Sequence, residues 1–147
     1  MKILTKSLCA LPLLAAPSFA GALLLQVGNP TSNPEAARNH AVLLARTTAC
    51  HSPGETKIVA TTEGVVNGTR KSLPLTVIPL SPDGTFGVTH EWPAEGTWAI
   101  QLVATNPEYQ NYATSVLIPV RHDSVQFPAA KHYYHAPTAA EVSSALN

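Results

Sequence analysis

Glu63-Gly64-Val65-Val66-Asn67-Gly68-Thr69-Arg70 is the stretch that decides the fold. An Asn-Gly pair between apolar runs is the strongest short-range hairpin signal, because both turn positions need positive φ. Val65-Val66 leads in, and Ser72 to Leu80 leads out. On the N-terminal side lie Lys57 to Thr62, which is β-branched, and the short apolar run Ala41 to Arg46. On the C-terminal side, Ser81-Pro82-Asp83-Gly84 is a turn in which proline presets φ and glycine closes. Thr85 to Glu91 follows, with Phe86, Val88 and His90 on one face at period two. Pro93 to Gly96 turns again. In Thr97 to Val103, Trp98, Ile100 and Leu102 alternate with small or polar neighbours. Tyr112 to Val120 closes the series, and Leu23 to Val27 supplies an edge strand at its start. About seven strands with regular turn punctuation predict an all-β antiparallel sandwich. Pro74 and Pro79 within one run place that strand at a sheet edge or at a bulge.

The ends of the chain read differently. Lys2 and Lys6 precede the apolar run Leu8 to Ala16, and Ser18-Phe19-Ala20 or Ala20-Gly21-Ala22 offers small residues for cleavage. This is the pattern of a secretory signal peptide, too short in its apolar part to span a bilayer. The expected organisation is a signal peptide at 1–20, a sandwich at 21–126 and a tail at 127–147. The expected location is periplasmic or secreted, with cleavage near Ala20 or Ala22. No later run is long enough for a transmembrane segment. In the tail, Thr138 and Glu141 form a capping-box pattern that opens a short C-terminal helix, Ala139 to Leu146. Asn29 to Asn39 is polar and turn-rich, with a helical turn at Pro34 to Ala37.

Lys and Arg number nine, as do Asp and Glu, and losing Lys2 and Lys6 leaves a slightly acidic protein. That balance argues against a nucleic-acid partner and against a polybasic membrane surface. Cys9 leaves with the signal peptide, so Cys50 has no intramolecular partner. No nucleophile elbow, zinc-protease motif, phosphate loop or paired-carboxylate arrangement is present, so an enzyme is not expected.

Cys50-His51 is the sharpest chemical feature, lying between a strand and Ser52-Pro53-Gly54. A thiolate and an imidazole are ligands for copper(I) or zinc. His40, His90 and His122 stand near other strand ends, and His40 is the first candidate to complete such a shell. Three readings of Cys50 stay open: a metal ligand, an intermolecular disulfide with a second copy or a protein partner, and a small buried apolar side chain. His132 and His135 meet on one face only if their segment is helical, and Pro137 opposes that. Trp92, before a proline at a turn, is the candidate for an exposed ligand platform, with packing at the sandwich rim as its plainer reading. Trp98 has the alternation of a core residue.

The stretches Glu63 to Arg70, Leu73-Pro74-Leu75 and Trp92-Pro93-Ala94-Glu95-Gly96-Thr97-Trp98 resemble small exported bacterial immunoglobulin-like domains. YtkA-like domains are among these, and the resemblance covers Ala41 to Val120. It implies an immunoglobulin-like sandwich with an extracytoplasmic accessory role, and it carries no catalytic residues. Some such sandwiches handle copper through methionine and histidine. Met1 is the sole methionine of this chain, which excludes a Met-rich site. The expected function is an exported, non-catalytic binding or envelope accessory module without a cofactor. The alternative is a periplasmic copper- or zinc-binding domain that uses Cys50 and His51.

Overall fold

A computed structural model of the chain describes residues 22–48, 53–109 and 112–147. The first sheet contains β1 (Leu24–Gly28), β2 (Ala41–Thr48), β5 (Val77–Ser81) and β6 (Thr85–Thr89), in the order β1-β2-β6-β5. The second contains β3 (Lys57–Val66), β4 (Thr69–Pro74), β7 (Thr97–Thr105), β8 (Ala113–Arg121) and β10 (Lys131–Tyr133), in the order β10-β8-β7-β3-β4. β9 (Ser124–Val125) also pairs with β8. All the pairings are antiparallel. One sheet follows an A-B-E-D order and the other contains G-F-C as β8-β7-β3, extended by β4 at one edge and by β10 and β9 beside β8, which is an immunoglobulin-type arrangement with added strands.

The Asn-Gly hairpin forms in the expected register. Val65 pairs with Arg70, and Asn67 and Gly68 take φ values of 49° and 75°. Alternation then sorts side chains between the layers. Leu25, Leu43, Ala45 and Val88 from the first sheet meet Ala60, Trp98, Ile100, Leu102, Val116 and Ile118 from the second. Trp98 is only 2% exposed, and its indole N–H donates to the Glu95 carbonyl at 2.8 Å.

Among the described residues there are ten strands rather than about seven. The single expected run Ser72 to Leu80 divides at Leu75-Thr76 into β4 and β5, which belong to opposite sheets. Both are edge strands, as their prolines require, and the register shifts between Pro79 and Ser81. β9 and β10 have two and three residues, too few to show alternation in the sequence. β10 draws the tail into the second sheet, so the sheet continues past the boundary expected at residue 126. α1 (Pro34–Arg38) is capped by the Asn33 side chain. α2 (Ala139–Leu146) spans the expected residues and begins at its capping box, and Val142 and Ala145 cover Ala99 and Leu117 on the outer face of the second sheet.

Candidate functional site

Strand register brings several loops to one end of the sandwich. Leu24 faces Thr48, Lys57 faces Thr105, Thr105 faces Ala113, and Tyr133 faces Ser115. The β2–β3 connection, the β7–β8 connection and the residues after β10 therefore leave from the same side. In immunoglobulin variable domains, two of the recognition loops stand at the corresponding end.

The β7–β8 connection is anchored through Asn106. Its amide nitrogen donates to the Thr56 hydroxyl at 3.1 Å in a buried position, tying the loop to the start of β3. Its side-chain oxygen accepts the Glu108 N–H at 2.9 Å, the local bond that makes Asn a turn residue. Backbone bonds from Tyr109 to Asn106 and from Tyr112 to Tyr109, each 3.0 Å, continue the bend.

On that base stand three tyrosines. The Tyr109 and Tyr112 ring centroids lie 6.5 Å apart, and those of Tyr112 and Tyr134 lie 6.3 Å apart, within the range of direct aromatic pairing. Tyr134 is 67% exposed. Beside them opens a cleft of about 420 Å³, lined by Lys57, Thr105, Asn106, Pro107, Tyr109, Tyr112 and Ala113. Burial, with the Tyr134 phenol nearby, raises the Tyr112 pKa above its ordinary value. The group is therefore a neutral phenol at physiological pH, able both to donate and to accept. Rings, a neutral hydroxyl and the Lys57 ammonium make a surface for non-covalent recognition. In the sequence, Tyr134 reads only as part of an aromatic tail segment packing on the sheet, and Tyr112 as the start of a strand. Their signal was the composition Asn106-Pro107-Glu108-Tyr109, with Tyr112 closing the loop, because Tyr- and Asn-rich loops on a sandwich end are typical of recognition surfaces.

The residues singled out in the sequence are distributed otherwise. Cys50 and His51 lie outside the described residues. His40 is exposed, has a left-handed φ of 53°, and immediately precedes β2. The eight residues of β2 put about 27 Å between His40 and the strand's far end at Thr48. His40 thus belongs to the end opposite the loops described above.

Trp92 is 4% exposed and packs in the core cluster. Its indole N–H donates to Asp123 Oδ1 at 3.1 Å, and its ring lies 4.2 Å, centroid to centroid, from His90. Rim packing is what this indole does; no exposed platform is formed. His90 Nε2 also reaches Asp123 Oδ1 at 3.2 Å. His122 and Asp123 make the β8–β9 turn with φ values of 49° and 60°. His132 lies in a strand, so it shares no helical face with His135. Among the described residues, no three His, Cys, Asp or Glu side chains gather into a cation-holding group, and no helix is long and apolar enough to cross a membrane.

No protein-family model, curated protein or solved structure matches this chain. The reading of its function therefore rests on its own residues.

Proposed function

We propose that this chain is an exported, non-catalytic β-sandwich that binds a partner protein through its tyrosine-bearing end, as an accessory module of the cell envelope. The observation that carries the reading is the contiguous strip Tyr109–Tyr112–Tyr134 beside an open cleft. Tyrosine concentrates binding energy at protein interfaces because it offers large contact area, few rotatable bonds and a hydroxyl at the tip. The fold supplies the rigidity, since Asn106 fixes the loop to the sheet. The signal-peptide pattern at Lys2 to Ala20 supports export.

The test is crosslinking in the native compartment, comparing wild type with Tyr112→Ala and Tyr134→Ala. Tyr134 is largely exposed, so its truncation should leave the melting temperature unchanged. Loss of an interface anchor of about 2 kcal/mol should lower partner affinity roughly thirtyfold. Unchanged capture by the doubly substituted protein would remove this end as the binding surface. An intact mass that still includes residues 1–20 would remove export. Sub-micromolar copper or zinc binding, lost in Cys50→Ala, would replace the reading with the metal alternative.

A further inference from the structure

Two features of β1 point to a further interaction surface, which meets the tyrosine-bearing end at Tyr134. The first is its chemistry as an edge. A strand with one side unpaired is a template for another chain, and proteins blunt such edges with charge, proline or shortness. β4 carries Arg70, Lys71 and Pro74, β5 carries Pro79, and β10 has three residues including Lys131. β1, Leu24-Leu25-Gln26-Val27-Gly28, borders the first sheet with neither charge nor proline. Leu24 is 42% exposed on it.

The second feature is a cleft of about 200 Å³ beside this edge, where the first sheet faces the strands bordering the second. Leu24, Leu25 and Gln26 form one wall, with Thr114, His132, Tyr133 and Tyr134 opposite. The lining holds no carboxylate, lysine or arginine. The space is smaller than the ~300–1,000 Å³ of small-molecule sites and suits individual uncharged side chains.

We propose that β1 is a docking edge for an extended peptide segment of a partner protein. The segment adds as a strand beside β1 and places alternate apolar side chains in the cleft. Main-chain hydrogen bonds then give affinity, and the cleft gives side-chain preference. The area argues against a second copy of this chain as the occupant. Five residues make an edge about 17 Å long, and a layer about 10 Å deep offers only about 170 Å² to a globular neighbour. A stable dimer needs about 1,200 Å² in total. A single extended segment instead needs only the strand edge, with alternate side chains seated in the cleft.

The experiment is a titration of the mature protein with a short peptide alternating valine and threonine between lysine caps, followed by amide NMR shifts and hydrogen exchange. Saturable shifts should centre on residues 24–28, with any change at Tyr134, which borders both surfaces, counted for neither. An added strand pairs through alternate residues, so N-methylation of one alternate set should weaken binding about tenfold or more, while the other set is neutral. Leu24→Lys, at an exposed position, should weaken it similarly without changing the melting temperature.

Absence of saturable shifts at β1 with millimolar peptide overturns the proposal, as does equal binding by both N-methylated forms. A concentration-dependent dimer abolished by Leu24→Lys assigns the edge to a second copy instead. Shifts centred on Tyr109 and Tyr112 overturn it while supporting recognition at the other surface.

Discussion

Gly64 sits directly opposite Trp98 across the β3–β7 pair, and both face the core. A Cβ on Gly64 would stand 2.2 Å from the indole, well inside contact distance, so the glycine is what lets the tryptophan lie flat on the strand. Gly64→Ala should therefore destabilise the protein by about 1–3 kcal/mol, as overpacking does. A lowered denaturation midpoint and an altered Trp98 emission would show it. Trp98 was legible as a core residue because alternation continues through Thr97 to Val103. Trp92 was not, because it lies in a turn before Pro93, and its partner Asp123 belongs to a distant one. Asp123 holds a left-handed turn position, accepts from the Trp92 indole and lies 3.2 Å from His90 Nε2. Asp123→Asn keeps an acceptor and tolerates that conformation, so its thermal stability should stay near wild type. Asp123→Ala leaves a buried indole N–H unpaired at a strained position and should cost about 1–3 kcal/mol.

At the scale of elements, α2 shows how a marginal helix becomes part of a fold. Eight residues are too few for independent stability. The Thr138–Glu141 capping box closes the first turn, Val142 and Ala145 bury against the sheet, and Arg121 donates to the Ala145 carbonyl at 3.2 Å. The helix start was readable because capping chemistry is local. β9 and β10 were not readable, because they exist only through pairing with β8. Thr138→Ala should cost about 1 kcal/mol. Hydrogen exchange of the α2 amides should detect the loss before any global change. The cap also titrates. The Thr138 backbone N–H, with the Thr138 hydroxyl and the His135 charge, holds the Glu141 carboxyl below its ordinary 4.5. A depressed carboxylate contributes fully above its unfolded value and loses that contribution as pH falls through the folded one. Protection of α2 should accordingly decline below pH 4.5, and Glu141→Gln should show reduced protection already at neutral pH.

For the whole molecule, the decisive place is Leu75-Thr76, where the chain passes from one sheet to the other. Leu75 N–H still bonds the Ala60 carbonyl of β3 at 2.9 Å, while the Thr76 carbonyl already accepts the Thr89 N–H of β6 at 3.1 Å. The sequence marked the two prolines as edge signals, but no local pattern says that adjacent edges belong to different sheets. Only the packing of the layers decides that. Glu91 clamps the crossing. Both of its carboxylate oxygens accept the Thr76 N–H, at 3.1 and 3.0 Å, and one also accepts the Thr89 hydroxyl. Burial works to raise the Glu91 pKa, yet the bonds from Thr76 and Thr89 outweigh it and leave the value below 4.5. The sign is then fixed: the clamp is complete above pH 4.5 and weakens as pH falls through the depressed folded value. Because the crossing joins the two sheets, its loss should lower global stability, whereas protonation of Glu141 loosens one helix. Urea unfolding of wild type should show a falling midpoint on acidification below pH 4.5. Glu91→Gln should begin from a lower midpoint at pH 7 and lose less on acidification, since it has no charge to neutralise. A variant whose acid slope equals that of wild type would mean that Glu91 does not carry the acid sensitivity of the crossing.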